Sequence, residues 1–205
     1  RAFMTASISL TLHAAEGSSA KLHAIFDREW EYNMKESPTW ASSLGDRRWN
    51  DQWDDVSLDA VRRHEDHAKA LLTEINTIPR VSLSAADQLN FDLFKRDLES
   101  SIEGSRFHLH LMPVTMRDGI QLADDFADSL RFETVKDYED WLGRLRRFPT
   151  YMSQTIALMR EGIKEHIVQP KIVMQRVPAQ IARQITEKAE DSSFYKPFTK
   201  FPEAI

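Results

Sequence analysis

The sequence predicts an all-α protein, an antiparallel multi-helix array with at most one short extended segment near residues 107–112. Apolar residues recur every three or four positions from about Ser18 onward, the period of a helix face. Glycine, the weakest helix former after proline, occurs only 6 times in 205 residues. Strand-helix alternation, a fixed-period repeat and a glycine-rich phosphate loop are not visible. With 41% hydrophobic and 29% charged residues the composition is that of a soluble globular chain able to bury a core.

The first residues, RAFMTASISLTLHAAEG, combine a leading Arg, a mildly apolar run and small residues at Ala14 and Ala15. They read as the tail of a secretory signal peptide cleaved near those alanines, against the alternative of an ordinary N-terminal strand or tail. On the signal reading the protein is periplasmic or secreted, and residues 1–16 stand apart from a helical part, 17–205. No other stretch approaches the length of a membrane span.

The first helix face carries Leu22, Ile25, Phe26 and Trp30 and ends before Pro38. A second helix follows Ser57 as N-cap, with Asp59 in its first turn and a stripe of Leu58, Val61, Ala68, Leu71, Leu72 and Ile75. Within it, His64-Glu65-Asp66-His67 raises the question of a zinc protease helix. That motif sets its imidazoles four residues apart with the Glu over the metal-bound water. Here the spacing is three; His64 and Glu65 fall toward the apolar stripe and Asp66 on the opposite side. The helix reads as structural, and no metal ligand is assigned to it.

Ser84 caps a third helix, with Asp87 as its capping partner. Leu89, Phe91, Leu93, Phe94, Leu98 and Ile102 cover more than one stripe, which predicts a central, buried helix. Asn90 and Asp97 fall within that apolar arc and are expected to be buried and hydrogen-bonded. Next, Phe107, Leu109 and Leu111 alternate with His108 and His110, the pattern of a short strand ending at Pro113. Two histidines on one strand face occur in metal sites, but a solvent-facing or carboxylate-capped pair is commoner. A turn at Arg117-Asp118-Gly119 leads to a short helix over Leu122 to Leu130.

Thr134 and Asp137 cap a helix whose stripe is Val135, Tyr138, Trp141, Leu142, Leu145 and Phe148, and which Pro149 is expected to end. The following helix carries Met152, Ile156, Met159, Ile163 and Ile167, its methionines read as core filler and His166 as a favourable C-terminal residue. Pro170 opens the last helix, with Ile172, Val173, Val177, Ile181 and Ile185, which Pro178 should kink or restart.

A net charge of −5 provides no basic field for nucleic acid or anionic lipid. Tyr138, Trp141, Arg144 and Arg147 invite a base-stacking platform, yet the aromatics lie on the buried stripe. The absence of cysteine excludes thiolate catalysis, disulfides and Cys-based zinc sites. No nucleophile elbow is present either. The residues assign no catalytic, cofactor-binding or metal site.

One stretch resembles a known family. ESPTWASSLGDRRWNDQWDDVS is similar to the N-terminal signature of a bacterial domain-of-unknown-function family, numbered eight-eight-five, of secreted, gluzincin-like zinc-metallopeptidase-like proteins. The similarity falls on Pro38, Ala41, Ser42, Gly45, Asp46, Arg47, Arg48, Trp49, Asn50, Asp55 and Ser57. The Leu89-Asn90 pair, TVKDYEDWLGRLRRFPTYMSQTIALMREGI, Pro170-Lys171 and FYKPFTKFP extend it over nearly the whole chain. The resemblance implies a helix-rich fold around a deep peptidase channel, with the zinc helix in a C-terminal half beyond this sequence. It makes the chain a non-catalytic N-terminal portion walling the substrate cleft, with zinc in the missing half. The partners it implies are that half, a peptide substrate, or a second copy of the chain through an exposed apolar face. The alternative is a self-sufficient helical binding or scaffold module.

Within the signature, Gly45 reads as a turn residue, Pro38 as a helix stop, and Trp40, Trp49 and Trp53 as buried against helices. Arg47 and Arg48 are expected to pair locally with Asp46, Asp54 and Asp55. The sharper idea is an arginine that reaches into the channel and holds a substrate carboxylate.

Overall fold

The computed structural model describes residues 2–201 and 203, with side chains from Gly17 onward. The all-α class holds: among the described residues there is no strand. None of the described helices is long and apolar enough to cross a membrane. The α-helices are α1 (Ala2–Glu36), α2 (Pro38–Ser43), α3 (Leu58–Ile75), α4 (Ala85–Ser105), α5 (Val135–Lys164), α6 (Lys171–Met174) and α7 (Val177–Gln184). Short 3-10 turns join them. The helical backbone begins at Ala2, well before Ser18; the signal-peptide reading rests on side chains outside the described residues.

The chain divides into two units, one of Arg1–Tyr32 with Val61–Phe107, the other of Asn33–Ala60 with His108–Ile205. In the first unit Leu22 and Ile25 of α1 pack with Ala68, Leu71 and Ile75 of α3, and with Phe91 and Leu98 of α4. Phe26 meets Phe94 edge to face at 5.0 Å. Each such side chain, fully buried, contributes about 1.5–3 kcal/mol. Two expectations fail here. Leu89 and Leu93 are 60% and 50% exposed, so α4 buries one face only. Asn90 and Asp97 share the open side and are exposed as well. A wide apolar arc does not reveal how many neighbours a helix has, and α4 packs along Asp87, Phe91 and Leu98. Trp30, placed on the packed face of α1, is 51% exposed.

The second unit is organised by α5, which runs 30 residues straight through Pro149. The expected stop fails because Tyr138, Trp141, Arg144, Thr155, Leu158 and Gly162 form one buried face continuous across the proline. Pro149 itself is exposed, and the burial on either side outweighs a disruption of about 3 kcal/mol. Trp141 is fully buried and donates from Nε1 to the Phe194 carbonyl at 3.0 Å. Val135 and Leu142 of the expected stripe are exposed.

The alternating segment is not extended. Phe107 follows the end of α4, His108 adopts a left-handed conformation (φ 49°), and Leu109–Leu111 forms a 3-10 turn. That turn lies so close to α5 that a Cβ on Gly162 would stand 2.7 Å from the Leu111 carbonyl and 2.6 Å from that of Ile167. The helix expected over Leu122 to Leu130 is a 3-10 helix, Ile120–Ser129. The last helix restarts at Pro178, giving α6 and α7, and of its stripe only Val177 is buried. Gly45 takes φ 90°, the turn conformation expected of it, and Pro38 both follows α1 and opens α2.

Candidate functional site

Arg144 sits one turn beyond Trp141 on the buried face of α5 and has no exposed surface. Its Nη2 donates to Ser42 Oγ at 2.8 Å and to the Trp49 carbonyl at 3.0 Å. Its guanidinium carbon stands 4.6 Å from the Phe126 ring centroid and 5.5 Å from that of Trp53, cation-π distances. Nε and Nη1 have no partner. The acids whose fields reach it are engaged elsewhere. Asp54 accepts from the Thr39 backbone and hydroxyl, Asp51 from Arg147, and Asp140 from Lys136. Burial pushes the guanidinium pKa down to about 10. A buried cation without a touching carboxylate is costly, which sets this place in the fold apart.

Ser42 also lines a polar pocket of about 390 Å³, with Ser43, Gly45, Arg47, Asn50 and Arg131. Asn50 is buried there with its Oδ1 unpartnered, and the neighbouring Trp49 Nε1 is likewise buried and unpartnered. Arg47 is held by Glu133 at 2.5 Å and by Asp137 at 3.3 Å. Asp137 completes the capping box of α5 behind its N-cap Thr134: against burial, which would raise its pKa, bonds from the Thr134 hydroxyl and backbone and the Arg47 charge hold it low. Arg131 is exposed and has no carboxylate partner among the described residues.

A second cavity, about 320 Å³ and almost wholly apolar, opens between α5 and α7. Phe148, Met152, Ile156 and Met159 form one wall and Val177 and Ile181 another. Its polar edge is set by Gln184, which donates to Asp124 Oδ1 at 2.7 Å, and by Gln121, which donates to the Thr115 carbonyl at 2.6 Å. Met152 and Met159, read as core filler, are cavity wall.

The histidines flagged by motif lie elsewhere. His67 Nε2 meets Glu29 at 2.6 Å and stacks on Tyr32 at 3.7 Å, while His64 stands edge-on to the same ring at 6.3 Å. His108 and His110 come within 5.8 Å of each other across a turn rather than along a strand. Among the described residues no three His, Asp or Glu side chains are grouped to hold a metal, so the described side chains do not fit a zinc site. His166 takes φ 60° just past the α5 C-cap.

Of the signature arginines, Arg48 pairs locally with Asp46 at 2.6 Å, as expected, whereas Arg47 reaches Glu133 and Asp137 instead. Trp53 donates to the Arg144 carbonyl and stacks flat on Tyr151 at 5.2 Å; Trp40, expected to be buried, is 45% exposed.

Two charged centres escaped the sequence reading. In the sequence Arg144 reads only as part of a stacking platform, although its position three after Trp141 puts it on the buried stripe. From sequence Asp87 reads as a cap partner alone. Its carboxylate accepts from the Ser19 hydroxyl at 2.6 Å and the Ser84 hydroxyl at 3.0 Å, and meets His23 Nε2 at 2.8 Å. These bonds, Ser19 first, hold its pKa down to about 2. Ser19 and His23 both bond the carboxylate rather than each other, so the group lacks the serine-to-histidine bond of a nucleophilic triad.

The polar and the apolar pocket of this helical fold both lie in one unit. The chain belongs to the bacterial family described as "bacterial protein of unknown function (DUF885)", whose model matches residues 38–205. No curated protein and no solved structure matches it.

Proposed function

We propose that this chain is the non-catalytic helical wall of a substrate cleft in a zinc-dependent, peptidase-like hydrolase. The observation that supports the reading is the 320 Å³ cavity between α5 and α7, apolar on its walls and edged by two glutamine amides. That volume lies at the lower end of ligand pockets and suits a hydrophobic side chain. In this reading the metal and the groups that activate water belong to another part of the protein, and no step of the chemistry is assigned to residues described above. Exposed Leu89 and Leu93 on α4 offer an apolar face for that part or for a second copy. The signal-like opening supports export to the periplasm or beyond.

A self-sufficient binding module is the second reading, favoured because both pockets are lined by residues of the second unit alone. The deciding experiment measures zinc content and chelator-sensitive peptide cleavage by the whole gene product, with and without Ile156→Trp to fill the cavity. Cleavage that falls at least tenfold in the variant at unchanged zinc content supports the wall. Zinc-dependent cleavage indifferent to the variant removes the cavity from the cleft, and no cleavage at all favours the module.

A further inference from the structure

We propose that the apolar cavity between α5 and α7 and a smaller cavity beside it receive two side chains of one extended peptide, an aromatic one and an aliphatic one two residues apart. The inference rests on the peptide-substrate reading above and names the class of peptide. The smaller cavity holds about 200 Å³ and is lined by Leu111, Pro113, Ile163, Val168 and Met174. Val114 and Met159 line both cavities, so the two share a wall. Among the described residues no charged side chain lines either, which leaves apolar groups as the occupants.

Size separates the two occupants. A cavity of about 150 Å³ accepts a benzene ring. The larger cavity, about 320 Å³ and walled by Phe148, Phe194, Met152 and Met159, offers an aromatic side chain both ring and sulfur contacts. The smaller one has no aromatic wall and fits a leucine-sized group. Spacing fixes their separation along the peptide. Of the two cavities Ile156 lines only the larger and Ile163 only the smaller, and they stand two helical turns apart on α5, about 10 Å. An extended peptide sends side chains to one face every second residue, about 7 Å apart, and the next such pair, about 13 Å apart, overshoots. Gln169 identifies what joins the two groups as a peptide backbone. It lines the smaller cavity, and its side-chain amide has no hydrogen-bond partner among the described residues. That amide can donate to one backbone carbonyl and accept from one backbone N–H. A single acyl chain would use neither the amide nor the dividing wall.

The test is isothermal titration of the 205-residue protein with capped peptides of one composition. Two carry the spaced orders Phe-Ser-Leu and Leu-Ser-Phe, and a third the adjacent order Phe-Leu-Ser. The better spaced peptide should bind at least tenfold tighter than the adjacent one, a comparison that leaves the protein unaltered. Replacing its Leu by Ser should weaken binding about tenfold, and this loss should vanish in Ile163→Trp, which fills the smaller cavity from a position 65% exposed. Equal binding of spaced and adjacent peptides, no measurable binding of either spaced peptide, or a leucine effect that survives in Ile163→Trp would each overturn the proposal. Dodecanoate binding tighter than the spaced peptide would overturn it too, in favour of an acyl groove. Spacing-selective binding without zinc-dependent cleavage by the whole gene product would retire the hydrolase reading alone; cleavage without such selectivity would retire this pair of cavities alone.

Discussion

The two units bury polar groups in opposite ways. In the first, the buried carboxylate of Asp87 is met by two hydroxyls and an imidazole, and the surrounding core is aliphatic and aromatic. In the second, Arg144 is buried with two of its nitrogens unmet, and Trp49, Asn50, Gln121 and Gln180 each leave a buried atom unpartnered. All the unpartnered buried atoms among the described residues therefore fall in one unit. A fold tolerates such groups at about 1–3 kcal/mol each where water or a ligand completes them. The first unit meets the polar group it buries; the second leaves several of its buried polar atoms unmet.

The contrast can be broken most forcefully at the cores. Trp141→Ala should destabilise by about 4 kcal/mol in urea unfolding, since it removes a fully buried indole and its bond to Phe194. Ile75→Ala in the first unit should cost about 3 kcal/mol by the same measurement. A near-neutral result at either site would mean that core is not the one described. Arg144→Met sharpens the contrast further. Because the cation has no touching carboxylate, the apolar substitute of similar length should change stability by no more than about 1 kcal/mol in either direction. A loss of several kcal/mol would show a well-compensated arginine and erase the difference between the units.

A further difference between the units shows in acid. Asp87 titrates at about 2 in the folded chain against 3.8 unfolded, so the unfolded state binds more protons in that window. Its contribution is complete above pH 3.8 and is lost as the pH falls toward 2. In Asp87→Asn the acid limb of a pH-stability curve should be flatter across that window; an unchanged slope would show that the cluster is not coupled to folding.

What the sequence revealed follows from which forces are local. Caps are local, so Ser84 with Asp87 and Thr134 with Asp137 were legible from spacing, as was the turn at Gly45. Pro149 signals a stop that does not occur, because its penalty is local while the buried face that overrides it is tertiary. The open side of α4 at Leu89, Leu93, Asn90 and Asp97 is not legible, because periodicity orients residues relative to one another and not to a packing neighbour. The alternation around His108 matched a strand, but a left-handed residue and a packed 3-10 turn produce the same pattern. Neither pocket was legible: Arg131 and Asn50 lie 81 positions apart, and nothing in either neighbourhood points to the other.

Arg144 is also a built-in clock. Arginine-selective dicarbonyl reagents attack a guanidinium they can reach, so Arg131 reacts in the closed protein and Arg144 only during an opening of its unit. The ratio of the two labelling rates therefore reports the free energy of that opening, site by site and without denaturant.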